Sequence, residues 1–275
     1  MDELEHLQES PTLDNHLCID IRYADDTTLI AAVFEKLQLS TDQLQQACLK
    51  YGMKINAGKC KAISINQRPI KVDGNDVETV NDFIFLGSNV PSTTVDVKRR
   101  ISLANTAFGK LKKNIWSRND VPVTLKMRLY KALILPIAIY GAETWSLTKE
   151  DTRKLSVFEN NCLRAILRIR LQDRISLKRI RKMAKLETPI ENIIKKRRLT
   201  WFGHVSRLPN DSLAKRLLKE EFAGRRKRGR PEKRWQDTIR EDTGLPIATA
   251  ERYAQDRTRW RQKVNKWAKP CQRVC

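Results

Sequence analysis

Ten residues, Ile21-Arg22-Tyr23-Ala24-Asp25-Asp26-Thr27-Thr28-Leu29-Ile30, constrain this chain more than any other stretch. Two adjacent carboxylates stand between two apolar runs of strand length, 17–21 and 28–33, each rich in β-branched or bulky side chains. The pattern predicts a tight β-hairpin with Asp25 and Asp26 at its tip. Like charges side by side repel in a half-buried setting, so the pair is costly by itself. A divalent cation removes that cost: Mg²⁺ takes hard oxygen ligands and neutralises charge that builds up during phosphoryl transfer. An acidic turn with no ligand is the alternative, because Asp is a common turn residue.

Beyond the hairpin the sequence changes character once. Leu37, Leu44, Ala47 and Cys48 give residues 35–51 one apolar helical face, with Gly52 as a stop just past it. Short apolar segments at 53–55, 61–65, 70–72 and 83–86 then alternate with turn signals, Asp73-Gly74-Asn75 being the strongest. They predict a small, mostly β completion of the same sheet. After Pro91 the apolar period becomes 3.6. Ile101, Ala104, Phe108, Leu111 and Ile115 line one helix. Leu125, Leu129, Ala132 and Leu133 line a second, expected to end at Pro136. A third is expected over 149–170, with Thr148 and Asp151 as its capping pair. Shorter helices are expected at 176–185, 189–202, 213–220 and 247–267, the last with a break. The class is α+β and mostly α, with a boundary near residue 92.

Charge changes at the same place. Lys and Arg number 54 against 32 Asp and Glu, a net charge of +22. Residues 1–95 hold 14 acids and 8 bases, leaving 18 acids and 46 bases for 96–275. An acidic front joined to a strongly basic back suits a protein that lays a nucleic-acid backbone across itself. Simple basicity, as in a membrane-surface protein, is the alternative. No run of about 18 apolar residues exists, so no membrane span is expected. The six cysteines include no C-x-x-C pair, which fits reduced thiols inside a cell. Cys271 and Cys275 have the spacing of half a zinc motif and no more.

Four tryptophans, Trp201, Trp235, Trp260 and Trp267, interleave with Arg and Lys. They would either stack on bases or anchor a small core. The run Arg225, Arg226, Lys227, Arg228, Arg230, Lys233, Arg234 encloses Arg-Gly-Arg-Pro. Extended arginines of that form enter the narrow minor groove of A·T-rich DNA, and the same run would serve as a nuclear localisation signal. A solvated basic linker is the third reading.

Tyr23-Ala24-Asp25-Asp26 resembles the Y-x-D-D metal-binding motif of reverse transcriptases of non-LTR (LINE-type) retrotransposons. Gly52-Met53-Lys54-Ile55-Asn56 with Lys59, and then Phe83-Ile84-Phe85-Leu86-Gly87-Ser88, resemble the next palm motifs in order. Tyr140-Gly141-Ala142-Glu143-Thr144-Trp145, Trp201-Phe202-Gly203-His204 and Gly229-Arg230-Pro231 resemble segments that follow the polymerase core. The resemblance implies a partial palm over 1–92, with one or two helices on a small antiparallel sheet. It implies a thumb-like helical bundle over 93–172 and a basic helical tail over 173–275. It implies RNA-directed DNA polymerase chemistry on template RNA and primer DNA in the nucleus, with Asp25 and Asp26 on Mg²⁺. Lys59 would protonate departing pyrophosphate, Tyr23 and Ala24 would lie beside the nucleotide, and Phe85, Leu86 and Gly87 would hold the primer end.

Two-metal phosphoryl transfer needs carboxylates from two places. Only 22 residues precede Tyr23, and neither Asp14 nor Asp20 is far enough from the hairpin to serve as an upstream palm aspartate. The expectation is therefore an inactive C-terminal portion that lacks the remaining palm and the fingers. The alternative is a non-enzymatic RNA- or DNA-binding module retained from such an element.

Overall fold

The computed structural model describes residues 18–63, 68–186, 188–219 and 233–269. Packing divides the chain into two compact units, Met1–Ile84 and Phe85–Cys275. In the first, β1 (Cys18–Tyr23) and β2 (Asp26–Ala31) form an antiparallel hairpin. Its register sets Tyr23 opposite Asp26, Ile21 opposite Thr28 and Ile19 opposite Ile30. Helix α1 (Phe34–Lys50) follows and packs on β2.

The rest of this unit differs in detail from the expected single sheet. Residues 53–55 are not a strand, and the described strands form separate two-stranded ladders. β3 (Lys61–Ala62) runs parallel to β6 (Glu78–Thr79). β4 (Lys71–Val72) and β5 (Asn75–Asp76) form a hairpin around Asp73 and Gly74, both at positive φ, as the turn chemistry predicts. Helix α1 explains why β4 needs no further strand on this side. The Gln38 side-chain amide accepts from the Lys71 N–H at 2.9 Å and donates to the Lys71 carbonyl at 2.9 Å. Gln45 Oε1 accepts from the Asp73 N–H at 3.1 Å. Side-chain amides thus satisfy backbone groups that a neighbouring strand would otherwise take.

Apolar burial here is thin. Ile70, Val72 and Val77 form the buried cluster, backed by Phe34, Leu37 and Ile55, while Ile30, Leu39, Leu49, Tyr51 and Met53 are exposed.

β7 (Phe83–Phe85) and β8 (Ser88–Val90) pair across Leu86 and Gly87, at φ 45° and 83°. Helix α2 (Thr93–Lys110) follows, with the Ser92 hydroxyl accepting from the Val95 N–H at its start. Its expected stripe is in place: Ala104 is buried, and Ile101, Phe108, Leu111 and Ile115 pack against the core. The helix stops at Lys110 and a wider turn spans Lys112–Trp116. Trp116 imposes that turn by stacking on Phe108, centroids 4.7 Å apart, and donating its indole N–H to the Phe108 carbonyl at 2.8 Å.

Pro136 does not end the second helix. α3 (Val123–Leu129) runs into a π-type turn, Tyr130–Ile134, and then α4 (Leu135–Ala138), with Pro136 in the first turn of α4. The widened turn lets the chain continue where an α-helical ladder would miss the proline's N–H.

Helix α5 (Lys149–Leu167) begins at the expected capping box. Thr148 Oγ1 accepts from the Asp151 N–H at 3.1 Å, and Asp151 Oδ2 accepts from the Thr148 N–H at 3.2 Å. α6 (Leu177–Met183), α7 (Ile190–Ser206) and α8 (Leu213–Lys219) follow. α9 (Trp235–Thr243) was not expected; Asp237 in its first turn and Gly244 at its C-terminus are the signals that mark it. The break inside 247–267 falls at Asp256, whose carboxylate caps α11 (Arg257–Trp267) after α10 (Ile247–Gln255).

Helix α7 organises this unit. Ile190 and Ile194 belong to the larger apolar cluster, with α2 to α6, and Leu199, Phe202 and Val205 to the one built from α8 to α11. Among the described residues no helix is long and apolar enough to cross a membrane.

Candidate functional site

Asp25 and Asp26 stand at the end of the first hairpin, as the sequence predicts. Ala24 and Asp25 are the two turn residues, and Asp26 is the first residue of β2. A two-residue hairpin loop demands positive φ, and here it falls on Ala24 at 53° rather than on a glycine or asparagine. Side chains with a Cβ pay for that conformation, and such strained positions cluster at functional sites. Tyr23, Ala24, Asp25 and Asp26 are all exposed. Neither carboxylate has a hydrogen-bond or ion-pair partner among the described residues. Asp20, two positions before Arg22 on β1, is instead tied to the Arg22 guanidinium.

Two free carboxylates suit Mg²⁺, which commonly takes one or two of them together with substrate phosphates. No group of three or more His, Cys, Asp or Glu able to hold a metal occurs among the described residues. The hairpin tip thus presents two carboxylates with no third His, Cys, Asp or Glu beside them among the described residues. Lys59 closes a short 3-10 turn, Ala57–Lys59, where the Asn56 side chain accepts from its N–H at 3.3 Å. Its ammonium is exposed.

Leu86 and Gly87 form a second clamped tip. The Gly87 carbonyl accepts from Arg99 Nη1 at 2.8 Å and also from Arg100. The Leu86 carbonyl accepts from the Tyr140 hydroxyl at 3.0 Å, and the Arg100 guanidinium lies 4.1 Å from the centre of the Tyr140 ring. Gly141, at φ 70°, packs so closely on Ser88 that a Cβ there would come within 2.8 Å of the Ser88 hydroxyl. Asp96 anchors the arrangement: it accepts from the Asn89 N–H at 3.0 Å and the Trp145 indole N–H at 2.9 Å, with Arg100 at 3.7 Å. Burial lowers the pKa of Arg100, and Asp96 opposes that shift. Two motifs over fifty residues apart, Phe85-Leu86-Gly87 and Tyr140-Gly141, thus interlock.

Donors from α7, from α9 and from Lys233 just before α9 finish the segment 139–147. Arg197 donates to the Ile139 carbonyl at 3.1 Å, Trp235 to Glu143 at 2.9 Å, Arg198 to Trp145 at 3.1 Å and Lys233 to Leu147 at 3.1 Å. Lys233 also pairs with Glu241, whereas Arg234 is exposed and starts α9, its N–H bonded to Asp237 at 2.9 Å. Arg225, Arg226, Lys227, Arg228 and Arg230 lie outside the described residues, as do Cys271 and Cys275. The tryptophans divide. Trp260 is buried and Trp235 and Trp267 pack against its cluster, while Trp201 is part exposed beside His204.

The chain is 28% identical over 263 residues to a protein of Caenorhabditis elegans described as transposon-derived, a match covering 88% of this chain and 93% of that one. It is 26% identical over 215 residues to the RNA-directed DNA polymerase from mobile element jockey of Drosophila melanogaster, covering 71% of this chain and 22% of that one. The corresponding polymerase of Drosophila funebris is 25% identical over 159 residues, or 52% of this chain and 17% of that one. The chain is retrotransposon-related. It spans about a fifth of the length of the two jockey polymerases. No family model matches it, and no solved structure does.

Proposed function

We propose that this chain is the part of a LINE-type RNA-directed DNA polymerase that carries the Y-x-D-D hairpin, and that it holds template–primer without catalysing extension by itself. The observation behind this reading is the hairpin tip: two unpartnered carboxylates, next to a strained Ala24, at the end of a ladder whose register sets Tyr23 opposite Asp26. Similarity to the jockey polymerases supports it. Asp25 and Asp26 would hold Mg²⁺, which when bound supplies charge neutralisation for phosphoryl transfer. Two carboxylates from one hairpin leave the second ion of a two-metal site without its own ligands, which is why the isolated chain is expected to be inactive.

The test is RNA-templated primer extension by the purified chain in Mg²⁺, beside Asp25→Asn. Equal, background-level products from both are expected. Extension that Asp25→Asn abolishes would refute the inactivity and leave the polymerase assignment stronger.

A second reading, a nucleic-acid-binding module, has its own support. The unit beginning at Phe85 packs by itself and holds 46 basic against 18 acidic residues. Under that reading Asp25→Asn leaves nucleic-acid affinity and its salt dependence unchanged.

A further inference from the structure

The stretch from the end of α5 through α6 to Lys185 presents a dense cationic surface. Arg170, Arg174, Lys178, Arg179, Lys182 and Lys185 are all exposed, and none is in an ion pair with another described residue. The packing beneath explains why they point outward. Ile180 and Ala184 are buried, and Arg181 turns inward to Glu159 at 2.6 Å. The solvent face of α6 is left to Lys178, Arg179 and Lys182.

The preceding loop is held in shape. Arg164 donates to the Arg170 carbonyl at 3.0 Å and the Ile175 carbonyl at 2.9 Å, and to Asn160 Oδ1 at 3.3 Å. Asp173, the one acid between 168 and 185, accepts from the Arg170 N–H at 2.7 Å. Arg168 and Arg174 both adopt positive φ, fixed on either side of the Leu171–Asp173 turn.

We propose that this surface grips the phosphate backbone of a nucleic-acid duplex. It would be a sequence-blind hold on the template–primer named above, and it rests on that reading for the class of partner. Arginine forks and lysine ammoniums match phosphate oxygens. Residues 168–185 contain no aromatic side chain, so the surface lacks the stacking platform that grips single strands. Leu171 and Met183 are 75% and 46% exposed, yet two apolar side chains bury too little area to favour a membrane surface over a polyanion.

The test uses the full chain, a labelled RNA·DNA hybrid and a salt series. One variant carries Arg170→Gln, Arg174→Gln, Lys178→Gln and Lys182→Gln. The control removes equal charge from exposed positions elsewhere, with Arg252→Gln, Arg257→Gln, Arg261→Gln and Lys266→Gln. Each phosphate contact contributes about 0.9 to the slope of log K against log salt. The first variant is expected to flatten the slope by about 3.6 and weaken binding more than about tenfold near 0.15 M salt. The control should change affinity less than about threefold. Equal losses in both variants, or none in the first, would overturn the surface assignment alone. Failure of the unaltered chain to bind hybrid at any salt would overturn the template–primer reading with it. Capture of anionic phosphatidylserine vesicles that the first variant loses, with hybrid binding unchanged, would reassign the surface to membranes.

Discussion

The Trp260 indole lies directly over Gly203: a Cβ built on Gly203 would stand 2.2 Å from Nε1. The ring cannot move aside freely, because Nε1 donates to the Leu199 carbonyl at 2.8 Å and the ring packs on Phe202 and Trp267. Gly203→Ala should therefore destabilise the larger unit by about 1–3 kcal/mol. Denaturant unfolding of the whole chain followed by tryptophan fluorescence reads this. An unchanged midpoint would mean that the approach is not as close as described.

Asp96 should matter for the Leu86–Gly87 turn more than for any distant site. Asp96→Ala leaves the Arg100 guanidinium, 9% exposed, without its carboxylate and the Trp145 indole N–H without its acceptor. Removing one member of a buried pair costs about 3–5 kcal/mol. Loss of amide protection is expected first at Ser88 and Asn89, which hydrogen exchange with mass spectrometry resolves.

Burial pushes the Cys162 thiol up to about 12, with the Glu159 carboxylate adding to the shift. Iodoacetamide near pH 8 should thus label the half-buried Cys48 in the native chain well before Cys162. The raised thiol also sets a sign for stability. Its contribution is fully present below an unfolded thiol value of about 8.5 and is lost as pH rises toward the folded value. Cys162→Ala should flatten the decline in stability above about pH 9.

The first unit should open more easily than the second. Its buried cluster is three residues, Ile70, Val72 and Val77, whereas α5 alone buries Leu155, Phe158, Cys162, Leu163 and Ile166. Amides of α1 and the first hairpin should exchange at least about tenfold faster than those of α5 and α7. Ala24→Gly should then slow exchange in the hairpin, because glycine relieves about 1 kcal/mol of backbone strain at φ 53°. Faster exchange in that variant would count against a strained turn.

What could be read from the sequence was local. Alternating apolar runs around Asp25-Asp26, the Asp73-Gly74 turn, and the Thr148–Asp151 capping pair each declare themselves within a few residues, and each is where it was expected. The stripe of α2 was equally legible because helix period depends only on spacing. Pro136 misled because its effect depends on the turn before it, which widens and accepts the proline. The carbonyls of 139–147 were invisible for a different reason. Arg198 reaches Trp145 across 53 positions and Trp235 reaches Glu143 across 92, and no periodicity encodes such pairs. Lys233, expected among the nucleic-acid contacts, is bound within the fold, and only its surroundings reveal that.

Under the proposed function Asp25 and Asp26 hold a divalent ion shared with nucleic-acid phosphates. Fe²⁺ in place of Mg²⁺, with ascorbate and peroxide, cleaves backbone near where the ion binds, and fragment masses locate the cut. Cleavage around residues 23–27 is expected to increase when an RNA·DNA template–primer is added and to disappear in the Asp25→Asn/Asp26→Asn double variant. Cleavage at the hairpin that template–primer does not enhance would leave an ion site unconnected to nucleic acid, and no cleavage there would leave only an acidic turn; either result would contradict the assignment.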